Sequence, residues 1–319
     1  MKGHTAAKRD WWQGRSSGQQ WCLHEKVQLP PLPYRNAPGT PKAIALVGYA
    51  CDEGVRRNLG RPGAAHGPDA IRSQLAKMPN HLDRETALLD LGNLSAPNGD
   101  MEAAQQNLAQ VVQNILGHTH FPIVLGGGHD LAYGHLMGLK LALGKEKKLG
   151  IINFDAHFDL RNNGHGNHSG TPFFQFAKDC ERDASGFHYL CLGIRQDANH
   201  QELFKTAETL GAQFVPQEHF NMHFLEHVQL RLVQFMEDVD LLYTTIDLDG
   251  FSSAFAPGCS AASPMGFSPD IVLECLKLIL ASGKAVSLDI AEMNPEYDRD
   301  HQTAKLAASL VHFVLHQLP

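Results

Sequence analysis

The chain has 319 residues, 43% of them hydrophobic and 19% charged, a soluble globular composition with length for one large domain or two ordinary ones. Its 27 Lys and Arg against 34 Asp and Glu give a net charge of -7 with no basic stripe, which argues against nucleic acid or an anionic membrane surface as a partner. No run of about 18 apolar residues occurs, and the opening MKGHTAAKRDWW lacks the apolar core of a secretory signal, so a cytoplasmic location is expected.

Residues 1 to about 40 are polar, with Trp11, Trp12 and Trp21 and prolines at Pro30, Pro31 and Pro33. They read as an arm lying over one domain at 41–319, with the tryptophans as anchors. From there apolar runs of strand length recur, each followed by helical sequence. In chain order the strands are expected at Ala43–Tyr49, Ala87–Leu91, Pro122–Leu125, Leu149–Phe154, Tyr189–Ile194, Gln213–Val215, Leu241–Ile246 and Ala285–Ile290. The helices are expected at Pro68–Lys77, Met101–Leu116, Leu131–Leu143, Gln201–Leu210, Glu218–Glu237, Pro269–Ala281 and Thr303–His316. This alternation predicts an α/β fold, a mainly parallel eight-stranded sheet covered by helices on both faces. Gly60 to Arg72, GRPGAAHGPDAIR, lacks the ending of a phosphate loop and reads as a turn leading into a helix with Pro68 near its first turn. Cys22, Cys51, Cys180, Cys191, Cys259 and Cys275 form no C-x-x-C pair, and are expected to be reduced and mostly buried.

In open parallel sheets ligands bind beyond the carboxyl ends of the strands. Three of the expected strand ends carry unusual chemistry. After Pro122–Leu125 comes GGGHD, where glycines permit a tight turn that presents His129. After Leu149–Phe154 comes DAHFD, with Asp155, His157 and Asp159 on alternate positions, which in an extended segment share one face. After Leu241–Ile246 comes DLDG, where Asp247 and Asp249 again share parity. Alone, D-x-H-x-D is equally a polar loop whose acids cap a turn. Together the three ends gather two imidazoles and four carboxylates, enough for two divalent cations sharing bridging aspartates. Hard oxygen donors without thiolates favour manganese or a similar ion over structural zinc.

The motifs Gly126–Asp130, Asp155–Asp159 and Asp247–Phe251 resemble, in type, order and spacing, those of the ureohydrolase family, which includes arginase, agmatinase and formimidoylglutamase. The likeness runs from about Ile44 to the C-terminus. It implies the arginase-like three-layer α/β/α sandwich and two Mn2+ ions per chain. By the same resemblance His129 and Asp159 bind one ion, His157 and Asp249 the other, and Asp155 and Asp247 bridge. SGTPFFQ at Ser169 to Gln175, GIRQDANHQELF at Gly193 to Phe204 and LDIAEMNPEYDRDHQTAKLAA at Leu288 to Ala308 are most similar to the formimidoylglutamase branch, as is the short WQGR at Trp12 to Arg15. Two departures from arginase point the same way. Ser252 and Ser253 stand where arginases and agmatinases commonly carry a second Asp-Pro pair, and Ser169, beside His168, stands where arginase has a proton-carrying histidine.

The branch implies a small-molecule substrate, N-formimidoyl-L-glutamate, hydrolysed to L-glutamate and formamide in histidine degradation. Asp159 is expected to move a proton to the departing nitrogen, and Glu292 to hold the amidinium. Arg161, two residues beyond Asp159, is expected to face the cleft and meet a substrate carboxylate; otherwise it is an exposed arginine paired with a surface acid. Ser169 is expected beside the substrate. A guanidino hydrolase of agmatinase or guanidinobutyrase type shares all six ligands and is the alternative enzyme, and a non-catalytic metal-binding homologue is the alternative of another class. Oligomeric state stays open, a homo-oligomer included.

Overall fold

Period-two burial divides β2 (Ala43–Ala50) between two cores: Ile44 and Leu46 pack into one, Ala45, Val47 and Tyr49 into the other. A computed structural model describes residues 1–35, 43–144 and 146–318. The other strands in it are β1 (His4–Thr5), β3 (Ala87–Ser95), β4 (Phe121–Leu125), β5 (Leu149–Phe154), β6 (His188–Ile194), β7 (Gln213–Pro216), β8 (Leu241–Asp247) and β9 (Ala285–Ala291). The helices are α1 (Leu23–Lys26), α2 (Glu53–Arg57), α3 (Gly67–Leu75), α4 (Met101–Gly117), α5 (Leu131–Leu143), α6 (Pro172–Arg182), α7 (Gln201–Thr209), α8 (Leu225–Glu237), α9 (Pro269–Ala281) and α10 (Gln302–Gln317).

The sheet order is β1-β3-β2-β4-β9-β8-β5-β6-β7. Every neighbouring pair is parallel except β1 with β3. Side chains of α3, α8, α9 and α10 fill one core, and those of α4, α5, α6 and α7 the other, so the molecule is a three-layer α/β/α sandwich. Each large aliphatic or aromatic side chain buried in these layers contributes about 1.5–3 kcal/mol. Among the described residues, no helix is long and apolar enough to cross a membrane.

Among the described residues nine strands replace the expected eight, because the arm supplies β1, which pairs His4 with Leu94 and Thr5 with Asn93 on the sheet edge. The expected boundary between arm and domain, at 40/41, lies outside the described residues. Within the arm, Trp12 is buried and donates Nε1–H to Asp90 at 2.7 Å, and Asp90 also accepts from the buried Arg72 at 2.8 Å. Trp11 packs partly buried under the same guanidinium, 4.9 Å from ring centroid to Cζ. Trp21 does not anchor: it is 62% exposed. Its neighbour Cys22 bridges to Pro79 and takes the inner position, which leaves Trp21 outside.

The expected helix at Glu218–Glu237 starts later, at Leu225. Asn221 accepts the N–H of His223 with its side chain at 3.0 Å and breaks the segment into short 3-10 turns first. As expected, residues 60–72 turn into α3 with Pro68 in its first turn, and the six cysteines are free, five of them buried.

Candidate metal centre

β4, β9, β8 and β5 lie side by side in the middle of the sheet and are drawn from both halves of the chain. Their carboxyl ends therefore open on one point, where the strand order reverses.

The turn after β4 can form only with glycine. A Cβ on Gly126 would stand 2.0 Å from the carbonyl oxygen of Ile290, and one on Gly127 would stand 2.1 Å from that of Cys51. The turn delivers His129, 1% exposed, whose backbone N–H donates to Glu292 Oε1 at 3.0 Å. The ring's Nε2 meets Thr245 Oγ1 at 2.9 Å, so a proton on Nε2 donated to that hydroxyl leaves the Nδ1 lone pair toward the carboxylates.

His129 Nδ1 lies 3.0 Å from Asp159 Oδ2, 3.0 Å from Asp247 Oδ2 and 3.3 Å from Asp155 Oδ2. His157 Nδ1 lies 3.3 Å from Asp155 Oδ1 and 3.3 Å from Asp249 Oδ1. All six residues are thus brought together in two groups, His129, Asp155, Asp159 and Asp247 in one and Asp155, His157 and Asp249 in the other. Asp155 divides its two oxygens between them. Asp247 falls in the first group; its other oxygen accepts the N–H of Asp249 at 2.9 Å.

Convergence of Asp155, His157 and Asp159 does not come from a continued pleat. The strand stops at Phe154, the N–H of His157 folds back on Asp155 Oδ1 at 2.7 Å, and Asp159 takes a left-handed φ of 49°. Glu292, just past β9, also has a left-handed φ, 65°. Such backbone is strained in non-glycine residues, and here it sits at two of the four acids that border the cavity, Asp159 and Glu292.

Among the described residues, His129 Nδ1 and Asp249 Oδ1 are buried without a hydrogen-bond partner, so each has an unmet need that a cation between the groups would satisfy. The donor set, two imidazole nitrogens and otherwise carboxylate oxygens, fits manganese or a similar divalent ion. Without a cation the electrostatics are unfavourable. Burial, then the charges of Asp249 and Asp155, raises Asp247 well above the usual carboxylate range. Burial, then Asp247 and Asp249, does the same to Glu292. Burial disfavours charge on both imidazoles, yet the facing carboxylates raise both, Asp247 first for His129 and Asp249 first for His157. Burial opposes ionisation of Asp155, but its contacts with His129 and His157 hold it below its ordinary value.

Above the two groups lies a cavity of about 350 Å³. Asp159, Arg161, Ser169 and Glu292 all border it. Arg161 Nη1 donates to Asn58 Oδ1 at 3.3 Å, and among the described residues no carboxylate pairs with it. The sequence reading missed three residues. Asn58 and Arg61 line the cavity from the β2–α3 connection, which carries no motif that points there. Arg61 donates Nε and Nη2 to the carbonyls of Ser260 and Cys259, at 2.9 and 2.6 Å, and its Cζ stacks 3.9 Å from the Tyr297 ring centroid. Thr245 had a signal: it shares parity with Asp247 on β8.

The arginase-family profile matches residues 42–316. Formimidoylglutamase of Aeromonas salmonicida is 45% identical over 305 residues, 94% of this chain and 95% of that one. Among solved structures, formimidoylglutamase of Bacillus subtilis has the same fold, with TM-score 0.80 at 22% identity over 99% of this chain and 95% of that one. A formiminoglutamase variant of Trypanosoma cruzi, solved with Mn2+, superposes with TM-score 0.76 at 26% identity, over 85% of this chain and 92% of that one. With the three motifs at the carboxyl ends of β4, β5 and β8 in the middle of the sheet and a match over almost the whole length, the chain belongs to the arginase family.

Proposed function

We propose that this chain is a binuclear manganese hydrolase converting N-formimidoyl-L-glutamate and water to L-glutamate and formamide, the hydrolysis of a linear amidine C–N bond in histidine degradation. The polarity of the cavity carries this reading. Its floor holds Asp159, Asp247, Asp249 and Glu292 with Asp155 buried beside them, while its wall holds Arg161, whose side-chain hydrogen-bond partner among the described residues is a neutral amide. A substrate with an amidinium head and two carboxylates on its tail matches that gradient in one orientation, and agmatine, cationic at its far end, does not. The names of the relatives and the Mn2+ of the Trypanosoma cruzi protein support the same assignment.

His129 and Asp159 would hold one ion, His157 and Asp249 the other, with Asp155 and Asp247 shared. When bound, the two ions supply an electrophilic centre that lowers the pKa of water from nearly 16 to roughly 7–9. Glu292 takes the amidinium by charge-assisted hydrogen bonds and sets its carbon over the floor. The water oxygen adds to that carbon as Asp159, at the cavity border with its side chain 12% exposed, takes the water's proton; the bond to the glutamate nitrogen then breaks and Asp159 passes that proton to the nitrogen. Arg161 takes a substrate carboxylate, and Ser169 lies beside the departing end. A cytoplasmic location accords with the six free thiols.

Turnover on N-formimidoyl-L-glutamate, arginine, agmatine and guanidinobutyrate, with formamide, urea and ammonia quantified, tests the reading. Release of formamide from the first is expected. A preference for agmatine with release of urea would replace it with a guanidino hydrolase.

A further inference from the structure

Asn58 follows α2 and borders the cavity, and its side-chain amide is used at both ends. Oδ1 accepts from Arg161 Nη1 at 3.3 Å, and Nδ2 donates to Ser169 Oγ at 3.1 Å. A guanidinium only donates, so the carbonyl end must face Arg161. Two more contacts fasten the same turn to the 161–170 loop: the N–H of Ser169 donates to the carbonyl of Gly54 at 3.1 Å, and Arg57 Nη1 donates to that of Asn167 at 3.2 Å. Arg57 is itself held by Glu53 at 2.9 Å and Glu102 at 2.7 Å. On its other side Arg161 lies against Gly170, where an added Cβ would come 3.1 Å from Arg161 Cδ, and its N–H donates to the Gly170 carbonyl at 2.9 Å. Among the described residues the guanidinium's hydrogen-bond partner is thus the neutral amide of Asn58, which fixes its place without cancelling its charge.

We propose that Asn58 is a positioning residue of this site: its amide orients Arg161 and Ser169 toward the substrate and, being uncharged, keeps the guanidinium available to a substrate carboxylate. The inference rests on the formimidoylglutamate reading above. An aspartate at this position would keep the acceptor but neutralise Arg161, and an alanine would leave both partners unheld.

Kinetics of the manganese-loaded wild type, Asn58→Ala, Arg161→Ala and the double variant decide the matter. Asn58→Ala is expected to raise KM for N-formimidoyl-L-glutamate about 5- to 30-fold with kcat within about threefold and both ions retained, and to change KM by less than about twofold once Arg161 is already alanine. Asn58→Asp, which preserves size, is expected to raise KM further than alanine does. An unchanged KM in Asn58→Ala and Asn58→Asp, or equal increases with and without Arg161, would overturn the inference alone, since wild-type turnover would still stand. Wild-type protein that holds two ions yet leaves the substrate intact would overturn the activity and the inference together.

Discussion

Asp155 places one oxygen toward each imidazole, at 3.3 Å from His129 and 3.3 Å from His157, so a single truncation there withdraws support from both ions. Asp155→Ala and Asp247→Ala are each expected to abolish turnover and take bound manganese well below two ions per chain, whereas His129→Asn should weaken one ion chiefly. Elemental analysis checks this, and two ions retained in Asp155→Ala would contradict the shared-ligand arrangement. Ser169 and Asp159 separate the proton path. Ser169→Ala is expected to cost roughly tenfold or less, because a hydroxyl does not titrate near neutrality, while Asp159→Asn should cost a general-acid factor of about 10²–10⁴ in kcat. The opposite order, measured with metal content matched, would move the proton path to Ser169. Arg161→Ala removes the charge-assisted hydrogen bond proposed for a substrate carboxylate, about 1.5–3 kcal/mol, and is expected to lower kcat/KM for N-formimidoyl-L-glutamate by roughly 10- to 150-fold. Unaltered kcat/KM would return Arg161 to an ordinary surface residue.

At the scale of elements, β8 is the strand on which the site depends most, since Thr245 orients His129 and Asp247 ends the same face. Thr245→Val keeps the shape and removes the hydroxyl. Loss of such a partner typically lowers metal affinity about 10- to 100-fold, so manganese titration should show one weakened site in this variant. Two sites of wild-type affinity would mean that His129 is held by packing alone. Thr245 also shows what a sequence reveals. Apolar runs bounded by turns mark strands wherever both faces are buried, so β5, α5 and α9 fall at the expected residues, and the carboxyl ends of β4, β5 and β8 announce the ligands. Signals that need a partner distant in sequence do not show. β1 is two residues long and exists only because β3 offers an edge. α6 begins in PFFQF, whose aromatic run has no clear helical period; Phe173, Phe174 and Phe176 bury together against the sheet. Asn58 joins Ser169 across 111 residues and Arg161 across 103, a meeting that no local pattern announces.

For the molecule as a whole, the metal centre is a concentration of negative charge that folding has to enclose. In the metal-free chain Asp247 and Glu292 are raised above their ordinary values of 3.8 and 4.5, by burial first, and the carboxylates raise the two imidazoles above 6.5. Groups raised in the folded state contribute stability that is complete below their unfolded pKa and lost as pH climbs through the folded one. Asp155, held low, opposes this alone among these groups. Metal-free protein should therefore lose stability from pH 6 to pH 8, and manganese, which replaces the protons, should raise Tm by more at pH 8 than at pH 6. Melting curves with and without manganese at the two pH values check it; an equal or smaller shift at pH 8 would contradict the charge picture.

The adjacency of β4, β9, β8 and β5 also has a consequence in time. Glu292 meets His129 across 163 residues, and although β5 and β8 pair directly, β4 joins them only when β9 has inserted between β4 and β8. Asp155, His157 and Asp159 are neighbours in the chain and the carboxylates of β8 lie on the adjacent strand, but the imidazole after β4 completes the set only through β9. Interactions completed after the folding barrier slow unfolding and leave folding speed nearly unchanged. Manganese should accordingly lengthen the lifetime of the folded chain without hastening its formation, so that a chelator added to folded protein shortens its survival under denaturant while refolding proceeds at the same rate with or without the ions.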